Sequence, residues 1–194
     1  MKTTLVMALL GTAALFSAHT NAKNYINFNY AQADVKKYDQ IVYVDGVGNI
    51  LFVDLKEQAK PTYLQTTIGH YFNDNWSAEL RLGMSASDDQ VKSANVFNLT
   101  SFDLWKVKES IGIYSNYLFL PHEFLSPFVS VGYNQITLHE FVQDRNTQYK
   151  DLSIGLGISA RLSDKSTFRF EYNRLHNKDN VEISNITAGL QVSF

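Results

Sequence analysis

Cysteine is absent from the 194 residues, so neither a disulfide framework nor a lipid-modified cysteine anchor is available to this chain. Proline is scarce. The 3 present, Pro61, Pro121 and Pro127, sit at strand starts or in connections, where no ladder hydrogen bond is lost. So few prolines exclude collagen-like and Pro-rich disordered chains. An excess of one charge is missing too: 17 Lys and Arg face 19 Asp and Glu, for a net charge of −2. That balance offers no basic field for nucleic acid. Beyond residue 22, no apolar run approaches the ~20 residues of a membrane-spanning helix.

Aromatics are plentiful, with 13 Phe, 11 Tyr and 2 Trp. The N-terminal stretch "MKTTLVMALLGTAALFSAHTNA" places Lys2 before an apolar run from Leu5 to Phe16, then small residues. This is the layout of a secretory signal peptide, with cleavage expected after Ala22. The remainder, 23–194, is expected to form one domain.

Period-two alternation dominates that domain. In "WSAELRLGMS", Trp76, Ala78, Leu80, Leu82 and Met84 share one face. In "DLSIGLGISARL", Leu152, Ile154, Leu156, Ile158, Ala160 and Leu162 do the same. "TFRFEYN" sets Phe168, Phe170 and Tyr172 against Arg169, Glu171 and Asn173. These are strands with one apolar face. Eight are expected, near 24–32, 62–72, 76–85, 102–119, 127–137, 149–162, 167–175 and 181–194. Each is close to or above the ~9–11 residues with which a tilted strand crosses a bilayer.

The connections alternate in length. Those at 73–75, 120–126 and 163–166 are short. Those at 33–61, 86–101, 138–148 and 176–180 are long and polar. A soluble sandwich would also alternate, but its outer face would be polar. Here the face opposite the apolar one carries Gly69, Gly83, Gly112, Gly132, Gly155, Gly157 and Gly189, which suit a crowded, curved interior. An eight-stranded antiparallel up-and-down transmembrane β-barrel is therefore expected, all-β, with both termini in the periplasm. The closing segment "NITAGLQVSF" then pairs with the first strand, which explains why the pattern continues to Phe194.

Inward parity also collects charge. Glu79, Arg81, Arg161, Arg169 and Glu171 share it, and an eight-stranded interior is just filled by side chains. An ion-pair cluster plugging the lumen is expected, because unpaired buried charge is costly. Two aromatic belts are expected at the membrane interfaces: Phe72, Trp76, Phe119, Phe124, Phe128 and Phe168 near the short turns, and Trp105, Tyr133, Tyr149 and Tyr172 near the long loops. The segment "QIVYVDGVGNILFVDL" in the first long connection reads as a β-hairpin standing above the membrane, an edge to which another protein could add a strand.

"SPFVSVGYN", "LSIGLGISARLSDKSTFRFEYNRL" and "ITAGLQVSF" resemble the small outer-membrane β-barrel superfamily of Gram-negative bacteria, including the OmpA transmembrane domain and its OmpX/Ail-like relatives. The resemblance implies an outer-membrane location among lipid and lipopolysaccharide, and it implies Phe194 as a C-terminal signal for the barrel assembly machinery. It further implies a non-enzymatic surface protein whose long loops contact host or environmental molecules. A small OmpW-like pore or carrier for small or hydrophobic solutes is the alternative, against which a polar lumen would argue. Some small barrels are lipid-A deacylases, with a catalytic His near the position of His176 and a Ser two residues later. Here "LHNKDN" puts Lys178 there, so no enzyme, cofactor or metal is expected. His70, His122 and His139 have no metal-ligand spacing.

Overall fold

The computed structural model describes residues 23–44, 50–90, 92–94, 104–141 and 144–194. The expected signal peptide with its cleavage after Ala22, and the expected turn at Asp45-Gly46, lie outside the described residues. The strands are β1 (Lys23–Val44), β2 (Ile50–Ala59), β3 (Thr62–Tyr71), β4 (Trp76–Ser87), β5 (Asp89–Gln90), β6 (Lys92–Ala94), β7 (Leu104–Leu118), β8 (Leu125–Glu140), β9 (Arg145–Arg161), β10 (Ser166–Lys178) and β11 (Val181–Ser193). Eight of them form the wall, in the order β1-β3-β4-β7-β8-β9-β10-β11, and β11 pairs back onto β1. The termini bond reciprocally, Asn24 N–H to Phe194 O at 3.2 Å and Phe194 N–H to Asn24 O at 2.9 Å. The closing strand thus has no free edge.

Register shows how steeply the strands climb. From Tyr30 the pairs run through Leu64, Met84, Glu109 and Thr137 to Gln148 on β9. In the other direction they run through Ala188 and Phe170 to Ile158 on β9. The two arrivals differ by the ten residues between Gln148 and Ile158, a large stagger for eight strands. Strand tilt of about 35–45° goes with closure of this kind.

Within the membrane the alternation is apolar outward and polar inward. Leu152, Ile154, Leu156 and Ile158 are exposed on β9, while Ser153 and Ser159 are buried. Interior packing is close. A Cβ on Gly69 would lie 2.1 Å from the Tyr25 ring, and one on Gly155 would lie 2.1 Å from Asn173 Oδ1. Only glycine leaves room for those neighbours.

Three of the expected long loops are shorter than the sequence implied, because strands run through them. β1 extends to Val44 and pairs with β2 from Val35↔Ala59 to Val44↔Ile50. β8 and β9 extend to the Glu140↔Arg145 pair. β10 and β11 meet at Lys178↔Val181, across Asp179 and Asn180 with φ of 52° and 60°. Two consecutive positive φ angles make the tight hairpin turn that Asp and Asn tolerate.

The strand extensions invert the polarity of the wall. Above Tyr30, Tyr133, Leu152, Tyr172 and Ile186, outward positions become Gln32, Asp34 and Lys36 on β1, Gln135 on β8, Lys150 on β9, Arg174 on β10 and Ser184 on β11. Inward positions become Ala31, Ala33, Val35, Val107, Ile136, Leu138, Leu175, Val181 and Ile183, all buried together. Water outside the extensions, where lipid surrounded the belt, accounts for the reversal. Trp105 and Phe128 are buried inside and Tyr149 points inward, so these three leave the expected belts. Phe72, Trp76, Phe119, Phe124, Phe168, Tyr133 and Tyr172 face outward and are exposed.

Candidate functional site

The interior is layered. Its middle layer is a charge lattice built from Glu79-Leu80-Arg81 on β4 and Arg169-Phe170-Glu171 on β10. Alternation turns both charged residues of each triplet inward. Arg81 Nη2 lies 2.6 Å from Glu79 Oε2, and Arg81 Nη1 lies 3.1 Å from Glu171 Oε1. Arg169 Nη1 bonds Glu79 Oε1 from across the lumen. The Tyr25 hydroxyl donates to Glu79 Oε1 at 2.6 Å, and the Ser130 hydroxyl donates to Glu171 Oε1 at 2.6 Å. Each guanidinium also lies over a ring: Arg81 is 3.9 Å from the Tyr114 centroid, and Arg169 is 4.3 Å from that of Phe128. Two acids and two arginines balance to zero, and all four are at most 5% exposed.

The structure therefore brings together Glu79, Arg81, Arg169 and Glu171, but not Arg161. Arg161 ends β9, two residues beyond buried Ser159, where the interior opens to the periplasm. It is exposed, and its Nη2 donates to the Pro121 carbonyl. There it lines a cavity of about 340 Å³, with Tyr71, Leu118, His122, Gln191 and others. Inward parity alone does not separate a mid-barrel charge from one at the mouth. Tyr25 and Ser130, which complete the lattice, were legible only as inward positions. Tyr25 betrays itself by standing opposite Gly69 in the register.

Above the lattice, Asn185 Nδ2 bonds the Tyr63 hydroxyl, and then the apolar layer begins. The interior is thus polar in its periplasmic part, and an apolar layer follows above the lattice. Over that layer stand Tyr149, Asp151 and His176. A bulge in β10 between Arg174 and His176 buries both Leu175 and His176. His176 Nδ1 is 3.5 Å from Asp151 Oδ2, and the Tyr149 ring packs against the imidazole. A hydrogen bond from Lys178 holds the Asp151 carboxyl below the usual carboxylate range. Burial pushes the Tyr149 phenol up. Neither ring nitrogen of His176 makes a hydrogen bond. Among the described residues no group of three or more His, Cys, Asp or Glu could hold a metal. This is not the geometry of a nucleophile and its base.

The wall beside the apolar layer is interrupted. β4 pairs with β7 up to Met84↔Glu109, and pairing resumes only at Asp89↔Trp105 through β5. Residues 85–88 and 106–108 have no ladder pairing with one another. Each side carries an irregularity: Ala86 is extra in β4 against β3, and Lys108 is extra in β7 against β8. Bulges bend a strand and end its pairing. The interruption lies directly above Met84 and Ile111, the last exposed apolar residues of β4 and β7. Behind it are Tyr63, Trp105 and Val107 of the apolar layer.

Residues 3–194 match the family model described as "Outer membrane protein beta-barrel domain". Among solved structures, the outer membrane protein OprG from Pseudomonas aeruginosa is 14% identical with a TM-score of 0.59, covering 91% of this chain and 97% of its own. Neisserial surface protein A is 15% identical with a TM-score of 0.56, covering 90% and 100%. Ail, the attachment invasion locus protein of Yersinia pestis, is 14% identical with a TM-score of 0.54, covering 90% and 100%. At such identities the likeness is one of fold. No curated protein matches the chain.

Proposed function

Because the chain belongs to the outer membrane protein β-barrel family, and so resides in the outer membrane with its termini in the periplasm, we propose that it admits small apolar solutes from outside and passes them sideways into the membrane. The observation that carries this reading is the interruption between β4 and β7 beside an apolar interior. The charge lattice blocks the axial route, since an apolar solute gains nothing by displacing paired, hydrogen-bonded charges. An apolar solute in the outer layer instead finds a wall segment without ladder bonds immediately above the lipid belt, bordered below by Met84 and Ile111. From there it passes along Met84 and Ile111 into hydrocarbon, which takes its surface out of water. The apolar layer is packed shut, so admission requires side chains such as Trp105 to swing aside.

The test is accumulation of a small apolar fluorophore by cells with and without the protein, beside a polar analogue of equal size. Faster entry of the apolar probe alone is expected. Equal entry in both strains, or faster entry of the polar probe, contradicts the reading.

One feature favours a second reading, surface recognition. The β1–β2 hairpin stands above the belt with Val42 and Phe52 opposite one another, 55% and 66% exposed. Exposed apolar side chains on a protruding strand pair suit contact with another surface protein.

A further inference from the structure

We propose that the buried imidazole of His176 receives the hydroxyl of a small apolar solute, so that the barrel selects phenols and alcohols over bare hydrocarbons and over acids. This rests on the route for apolar solutes proposed above and names the chemistry of what takes it.

The bulge in β10 decides where the side chain sits. Leu175 is the extra residue, so His176 takes the place opposite Ile183 on β11. Leu175 and Ile183 both belong to the apolar layer. His176 itself is only 6% exposed. The Tyr149 ring packs against the imidazole, with centroids 5.1 Å apart, and also against the apolar layer. A polar ring is thus set into the edge of an apolar interior. Re-aiming a side chain is what a bulge does beside a site.

The imidazole's hydrogen-bonding capacity is unused, since neither ring nitrogen has a hydrogen-bond partner. Buried polar groups are nearly always paired, so this one calls for a partner from outside the chain. The tautomer says which kind. Asp151 Oδ2 lies 3.5 Å from Nδ1. Lys178 and the Leu152 N–H both donate to the other oxygen, Oδ1. A carboxylate facing Nδ1 favours the proton there. Nε2 then carries the lone pair and accepts.

A neutral hydroxyl on an apolar body meets both demands. Its O–H donates to Nε2, and its body lies among Leu175, Ile183 and their neighbours. A carboxylic acid ionises at neutral pH, loses its donor and faces the like charge of Asp151. A protonated amine gives up its hydration to an apolar surround. A bare hydrocarbon leaves Nε2 unpaired.

The experiment reads binding at Trp105, which lies in the apolar layer. The chain has 2 tryptophans, and the other, Trp76, faces outward on the belt. In purified, folded Trp76→Phe protein, quenching of Trp105 by para-bromophenol is compared with quenching by para-bromoanisole, whose hydroxyl is methylated, and by para-bromobenzoate. Trp105→Phe, which keeps Trp76, measures uptake of each probe by the detergent alone. The phenol should bind about tenfold more tightly than the ether, as one hydrogen bond to a buried group is worth. The benzoate should bind no more tightly than the ether. His176→Phe should abolish the preference for the phenol and leave the ether bound as before. His176→Gln, which keeps an acceptor, should restore part of that preference. Unheated gel migration identifies any variant that has not folded; His176→Leu then replaces His176→Phe, and the phenol-to-ether ratio of the Trp76→Phe protein tests the site in any case. Equal binding of phenol and ether, or a preference that survives loss of the imidazole, overturns the histidine site and leaves the apolar route standing. Tighter binding of the benzoate overturns the choice of a neutral hydroxyl. Probes that quench Trp76 but never Trp105 overturn the route and the site together.

Discussion

Arg81 and Arg169 hold the interior together in different ways. Arg81 touches both acids of the lattice and Asn116, whereas Arg169 reaches Glu79 and Gln191 and leaves Nη2 without a partner. Removing one partner of a buried pair strands the other in a low dielectric, at about 3–5 kcal/mol. Arg169→Ala should therefore lower the thermal unfolding midpoint in detergent substantially, because Glu79 is left with Arg81 alone. Arg161→Ala should barely move it, since that side chain is exposed at the mouth and donates to the Pro121 carbonyl rather than to a buried acid. Equal effects of the two substitutions would contradict the placement of Arg161 outside the lattice. This contrast also marks what residue-level reading could reach. Alternation assigns a side, and all five charged residues took the inward one. Depth along the barrel comes from register, which needs the partner strands and the ten-residue stagger.

Strands were legible where lipid enforces alternation. Runs such as Leu152 to Leu162 cannot be read another way, because every outward position must be apolar. They became illegible above the membrane, where lipid no longer imposes that rule. Ala33 to Lys37, Leu138 to Glu140 and His176 to Lys178 look like polar connections because their apolar residues have moved to the inner face. The bulges at Ala86, Lys108 and Leu175 shift the pattern by one residue and hide it further. The β1–β2 hairpin was visible because Ile41 to Asp45 and Asn49 to Leu55 are β-prone around a turn sequence. Its role can be separated from that of the closing strand. Replacing residues 36–58 by a short Asn-Gly turn should leave the protein inserted and heat-modifiable on a gel, because no lipid-facing residue is removed. Deleting Phe194 should impair insertion with every loop intact, because closure there depends on the reciprocal Asn24–Phe194 bonds. A hairpin deletion that never inserts would show that the extension is needed to close the wall.

At the scale of the whole molecule, the barrel is a stack of unlike compartments. A polar vestibule opens to the periplasm, a neutral charge lattice lies across the middle, and a packed apolar layer lies above it beside an unbonded stretch of wall. Lattice and apolar layer are the grounds on which we propose a sideways path rather than an axial ion pore. The absence of cysteine makes that path directly testable, since two introduced thiols would be the only ones present. Ala86→Cys and Lys108→Cys place them on the exposed sides of the two strands that border the interruption. The decisive measurement is the rate at which a small apolar fluorophore enters cells carrying this double variant, before and after treatment with a short thiol-reactive cross-linker. Joining β4 to β7 is predicted to reduce entry to the rate of cells lacking the protein, while either single cysteine treated alike keeps the full rate. Undiminished entry through a barrel shown by mass to be cross-linked would contradict the sideways path.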